Sequence, residues 1–500
     1  MTFIRKAIAL GLAGVVSTTF GAAAQAEEGV GAEYMVMETS ADDAAEEAFL
    51  TGLALLHNFE YDRAAKAFQQ AQAADPGFVM AYWGEAMTHN HPLWDEQDHE
   101  SALKALAKLG ATPEERAAKA RNDAEAKWLG AVEVLYGEGT KKERDIAYLE
   151  YMQAMFEADP SDIDARAFTG LAILGSSHGG RQIPLYMQAA GLLEPGYSTH
   201  EQHPGILHYL IHSYDDPVHA PLGERAAARY AKVAPNAGHA QHMVSHIFHA
   251  LGDWDRSEAA NINADAVVDR QRLAAGREPS FCGHYNEWLV YAKLQLGKDV
   301  TDIVDGCREQ AKAHIAGAAK GKLGWGAASS YGAIAAWQGV TAGKWPEPLE
   351  GVDESFLLVR YDLANARLLE NSGNEEVVEE ALAEMKALSV EIDAAMKEED
   401  PLNSYSRPWM ERQIAQGEAI LALSNGKVDE GLSLLRAAAE AESALPVVFG
   451  PPAMAKPSWE LLGERLLAMG RKAEAAEAFE NSLAFAPGRL LSLNGLEASK

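Results

Sequence analysis

The strongest constraint on this chain is a set of small and large residues that returns with a period of 34. In "GLALLHNFEYDRAAKAFQQAQAADP", placing Pro76 at position 32 of a 34-residue unit puts Gly52, Ala64, Phe68 and Ala71 at positions 8, 20, 24 and 27. Near the other end the same frame, set by Pro487, puts Trp459, Leu462, Gly463, Ala475 and Phe479 at positions 4, 7, 8, 20 and 24. Small residues at 8 and 20 let two antiparallel helices approach closely, and large residues at 4 and 24 fill the gap to the next pair. Gly and Pro punctuate long Ala/Leu/Glu-rich stretches, and alternating strand patterns are nearly absent. The expected fold is therefore all-α, built from helical hairpins that must stack because no single hairpin can bury its own faces.

On these residues the chain resembles the tetratricopeptide repeat (TPR) family. The resemblance implies a right-handed superhelical solenoid of antiparallel helix pairs, roughly nine to eleven of them, whose A helices line a concave groove through positions 2, 5, 9, 12 and 13. The stretches "HPGILHYLIHSYDDPVHAP" and "HAQHMVSHIF" are similar to a branch of exported bacterial TPR proteins without an assigned activity. The expected organisation is a secretory signal over 1–26, an N-terminal extension over 27–44, the solenoid over 45–489 and a tail over 490–500. Insertions are expected near 91–122 and 175–203, where the period is lost.

Composition narrows the function. With 43 basic against 73 acidic residues the net charge is −30, which argues against nucleic acid or an anionic membrane surface as partner. Arg5 and Lys6, the apolar run Ala7 to Thr18 and the small-x-small site Ala24-Gln25-Ala26 read as a signal peptide cleaved after Ala26. No later apolar run reaches the length of a membrane span, so the expected location is periplasmic or secreted. Two cysteines exclude a disulfide scaffold or a thiolate metal site. If Cys282 starts an A helix and the hairpin turns near Asp299, Cys307 lies on the order of 13 Å from register with it. Free thiols are then expected, unless the segment before His284 folds back.

Eight of the 16 histidines fall between His203 and His249, less than a tenth of the chain. With Pro235 at position 32, His208 and His212 occupy positions 5 and 9 of one A helix, and His242 and His246 occupy the same positions 34 residues on. Position 12 adds Asp215 and His249, and position 2 adds His239. Steps of three and four keep one helical face, so two stripes are expected to face one groove, with His208 beside His242 and His212 beside His246. Imidazole-rich, thiolate-free sites suit Zn, Cu(II) or non-haem Fe. The leading expectation is thus a transition-metal site at His208, His212, His242 and His246, with Asp215, His239 and His249 as further ligands.

The alternatives are a metal-free groove that holds a peptide or protein partner, a metalloenzyme with Asp215, Asp216 or Glu287 as base, and histidines that only build structure. His203 and His219 read as capping residues or as outer donors to the site. His284 and Glu287, at positions 2 and 5 of the following unit, either close the same channel or sit on the surface. His89, His91 and His99 hint weakly at another site. "GSSHG" around Ser177 matches the letters of a nucleophile elbow without the strand before it, and reads as a loop. "HEQH" at 200–203 is not a zincin motif.

Overall fold

The computed structural model describes residues 28–317, 321–396, 405–446, 448 and 450–500. The leader expected over 1–26 lies outside them. Among the described residues there are 23 α-helices, and the strands amount to the two-residue pair Asn90–His91 and Glu96–Gln97. None of these helices is long and apolar enough to cross a membrane.

Local chemistry sets the helix ends. Asp42, Thr140, Asp162 and Asp253 accept backbone N–H groups as N-caps, supplying partners for donors that a helix start leaves orphaned. The 34-residue frame then shows in the packing. Phe68 is fully buried against Gly52 of its own hairpin and Gly84 of the next. Phe479 meets Gly463 and Gly495 in the same way at the far end. A Cβ at any of these glycines would fall within 3 Å of the ring, so the small residue is a steric requirement. Ala64 and Ala475 are likewise fully buried.

The segment 91–122 carries the short helices His99–Ala107 and Pro113–Ala117 beside the strand pair. The segment 175–203 holds a loop and the helix Ile183–Thr199, which packs on Ile163–Gly175 as a hairpin partner.

Stacking closes the chain on itself twice. The first helix, Asp43–His57, packs against Pro204–Tyr214, and the His208 Nδ1–H donates to the His57 carbonyl at 2.6 Å. The extension that precedes it is stitched on by Asn236 N–H to the Gly29 carbonyl and Asn58 Nδ2 to the Val30 carbonyl. At the other end, Trp254 Nε1 donates to the Gly488 carbonyl at 2.8 Å. Arg489, 1 % exposed, forks onto Glu460 and reaches the Tyr291 hydroxyl. Helices Gly238–Ala250 and His284–Gln295 stand between the two closures, and the site is built there.

The structure corrects the expectation for the cysteines. Cys282 and Cys307 form a disulfide, with Cα atoms 4.9 Å apart. Cys282 precedes the helix that starts at His284, and its segment runs back along Thr301–Ala316. Gln310 holds it there, accepting from Phe281 N–H and donating to the Pro279 carbonyl. A helical register argument does not apply to a strand of loop that folds back in this way.

Candidate metal centre

Six histidines gather into two trios of the same construction. His208 and His212 stand at positions 5 and 9 of Pro204–Tyr214 and meet His239, at position 2 of the next A helix. His242 and His246 stand at positions 5 and 9 of Gly238–Ala250 and meet His284, at position 2 of the one after. Within each trio the ligand nitrogens lie within 4.8 Å of one another. The two groups share a wall: His212 and His246 rings are 5.5 Å apart, and His239 and His242 rings 6.0 Å.

This pairing corrects one part of the sequence expectation. His212 does lie beside His246, but the neighbour of His208 is His239, at 5.1 Å between rings, rather than His242. Adjacent A helices cross at an angle, so a register that matches position 9 with position 9 has slipped by about a turn at position 5.

The tautomers are set by the surroundings. Asn261 Nδ2 donates to the Ser257 carbonyl, which turns its Oδ1 toward His242 Nδ1 at 2.7 Å. His242 must therefore donate from Nδ1, leaving a lone pair on Nε2. His246 directs Nδ1 at the Asp215 carboxylate, 3.0 Å away, which leaves its Nε2 lone pair as well. Those two Nε2 atoms face each other at 3.2 Å. At that separation one ion or one shared proton can bridge them. In the other trio His208 gives its Nδ1–H to the His57 carbonyl, and the buried Nε2 atoms of His208 and His239 have no hydrogen-bond partner among the described residues.

Burial holds the imidazoles of His208, His239 and His242 well below their usual pKa, with neighbouring histidines adding to the effect. His212 is lowered by burial against the opposing pull of Asp215. His284 lines a cavity on one side, and the packing of His242, Tyr285 and Trp288 around it lowers its pKa. Neutral imidazole is the form that binds metal.

Asp215 sits between the trios. Burial alone would raise its pKa, but the Arg181 guanidinium and hydrogen bonds from His212 and His246 overcome that and hold it well below the usual carboxylate range. Arg181 pairs with Asp215 and, at 3.2 Å, with Asp216. Asp216 also takes His219 Nδ1 at 2.8 Å and the backbone N–H groups of Val218 and His219. These two carboxylates make ion pairs and orient imidazoles, and Asp215 also lies with His212 and His246 in a group whose possible ligand atoms are within 4.8 Å of one another. Glu287 faces the cavity instead, with its pKa raised by burial.

Other expected residues lie elsewhere. His249 is not part of either trio; its ring is packed by Trp254, Trp288 and Tyr291 at 4.9 to 5.3 Å. Burial pushes it down to about 3. His203 caps its helix through Ile206 N–H and reaches Asp164 at 3.2 Å. His91 and His99 bond to the Thr88 and Tyr136 carbonyls, and neither joins a ligand group with His89. Ser177 bonds to the Gly180 carbonyl in a loop.

The sequence reading missed His57, Asp164, Arg181, Asn261 and Phe59. Three of these had a signal. With Gly52 at position 8, His57 falls at position 13, and with Gly170 at position 8, Asp164 falls at position 2; both are groove positions. His57 and His203 share Asp164 in a buried network behind the first trio. Phe59 had a signal of another kind. It stands at position 15, where Gly252, Gly297 and Gly470 turn their hairpins with φ of 70°, 67° and 74°. Phe59 adopts φ 57° there, a conformation that costs a residue with a Cβ about 1–2 kcal/mol. Its ring lies 4.3 Å from His208 and 5.5 Å from His239, so the strained turn roofs the first trio.

The chain is a TPR-type helical solenoid. No protein-family model matches the sequence, and no curated protein does. Among solved structures it is similar to the Cut9–Hcn1 hetero-tetramer of the APC/C at 12 % identity, covering 93 % of this chain and 77 % of that one, with a TM-score of 0.36. Yeast Tom70 matches at 12 % identity over 92 % of both chains, with a TM-score of 0.32. The P58(IPK) TPR domain matches at 13 % over 91 % and 97 %, with a TM-score of 0.21. Helix pairs stacked in this way present extended concave surfaces.

Proposed function

We propose that this is an exported protein that binds transition-metal ions, one at His208, His212 and His239 and one at His242, His246 and His284. The observation that carries this reading is the 3.2 Å approach of His242 Nε2 to His246 Nε2, with the two Nδ1 atoms directed at Asn261 and Asp215. Three neutral imidazoles per ion and no thiolate suit Zn, Cu(II) or non-haem Fe. Asn261, Asp215 and the His57 carbonyl supply the outer hydrogen bonds that orient such ligands and raise their basicity. The disulfide supports an oxidising, exported location, in keeping with the signal read over 1–26.

The test is elemental analysis of untagged protein purified from its native host, followed by equilibrium dialysis of the wild type and two double variants. About two ions per chain are expected, falling to one in H242A/H246A and to one in H208A/H239A. A metal content indifferent to both double variants would overturn the assignment. The cavity beside His284 favours a second reading, a groove that holds a peptide or protein partner, with or without metal. A metal-dependent reaction with Glu287 as base is the third, and it needs the His242 trio to keep a coordination position open to that cavity.

A further inference from the structure

Beyond the trios, the concave side holds an open cavity of about 770 Å³ between the helices that begin at His284, Ala327, Leu357 and Arg407. Its wall carries Glu287, Asp362, Gln413, Trp288, Trp325 and Trp337. Among the described residues it has no lysine, and its one arginine is Arg272. We infer that this cavity binds an organic cation, an alkylammonium or guanidinium group, received by Glu287 and Asp362 beside the half-exposed ring of Trp325.

The donors and acceptors on the wall point that way. Asp362 is hydrogen-bonded by the Tyr405 hydroxyl at 2.7 Å, a neutral donor, and forms no ion pair among the described residues. Gln413 is 6 % exposed; its Nε2 is spent on the Ala453 carbonyl, while its Oε1 has no partner among the described residues. A buried acceptor left unpaired is costly, and a ligand that brings N–H donors relieves it. Indole faces attract cations, and Trp325 is half exposed over the opening. Burial and the nearby Glu287 charge push Asp362 up to about 7 against the lowering hydrogen bond from Tyr405. That is the behaviour of two carboxyl groups that lack a positive partner. This inference does not depend on metal, because none of these wall residues is a ligand in either trio.

The test uses the full chain in EDTA, titrated with 1,5-diaminopentane and, separately, with neutral 1,5-pentanediol, read by tryptophan fluorescence and calorimetry. Saturable one-to-one binding of the diamine is expected, with none of the diol. D362N and E287Q should each weaken it by about tenfold or more, while E376Q, an exposed acid, should leave it unchanged. Circular dichroism melts identify any variant that fails to fold, and the other acid variant then decides. Absence of saturable binding, equal binding of the diol, or an affinity equal in all three variants would overturn the inference, the last by showing plain attraction to an acidic surface.

Discussion

The two histidine trios use the same three repeat positions, 5 and 9 of one A helix and 2 of the next, yet they differ in what stands over them. The His208 trio is roofed by Phe59 and Tyr230, whose rings lie 4.3 and 5.3 Å from His208. The His242 trio has Trp288 on one side, 4.3 Å from His246, but His284 opens onto the cavity. The repeat supplies the ligand geometry twice. Whether a site is shut or accessible is decided by the loops and by helices from distant repeats. A closed set of ligands suits retention, and an open one suits exchange or reaction.

The largest effect should come from Arg181, which supports the carboxylate between the trios. R181M leaves Asp215 and Asp216 buried without their cation and should cost about 3–5 kcal/mol in urea unfolding. It should weaken metal binding at both trios alike; weakening at one alone would show that Asp215 serves only that one.

Next is the disulfide, which fixes the segment leading into His284. Its 25-residue separation makes a contribution of about 2–4 kcal/mol reasonable. Neither thiol should label in denaturant until reductant is added. C282S/C307S should loosen the metal bound at the open trio, read by faster removal with a chelator, and leave the closed trio unchanged. Equal acceleration at both would break the comparison.

Acid should act through the buried imidazoles. Above about pH 6.5 both folded and unfolded histidines are neutral and stability is flat. Below it the unfolded chain takes up protons that the folded chain refuses, so stability is lost as pH falls. The loss runs at up to about 1.4 kcal/mol per pH unit for each such group. For His57, lowered to about 4 by burial, the loss ends near that pH; for His249, lowered to about 3, it continues below it. Urea midpoints of the metal-free protein between pH 7 and 4.5 should show this slope, shallower in H208Q and in H242Q. A flat profile would mean that water reaches both trios.

The smallest effect concerns the roof. Because Phe59 occupies a left-handed backbone conformation, F59G should be more stable than F59A by about 1 kcal/mol, the reverse of the usual order in a helix. Both should let a chelator strip the closed trio as quickly as the open one. Chelation unchanged in either variant would show that Phe59 is not the barrier.

Much of the fold was legible because each hairpin's packing is local. Gly52 with Phe68 and Gly463 with Phe479 are contacts within one hairpin, and the 34-residue spacing reports them directly. The HxxxH stripes were legible for the same reason, since i, i+4 spacing on a helix leaves no freedom about which face they share. His239 as the partner of His208 was not, because the crossing angle of neighbouring helices is a property of whole packed surfaces. Arg181 lies in a loop, and nothing in its surroundings marks it out before the loop is folded onto Asp215.

The sequence by itself therefore determined the helix pairs, the buried small residues and the face on which His208, His212, His239, His242 and His246 lie. Only the tertiary structure decided that Asp43–His57 returns to pack on Pro204–Tyr214, that the chain before His284 folds back to pair Cys282 with Cys307, and that one trio is roofed while its twin is open. The physical reason is accumulation. Each repeat adds a small rotation that no local spacing encodes, and after several repeats their sum places residues far apart in the chain against one another.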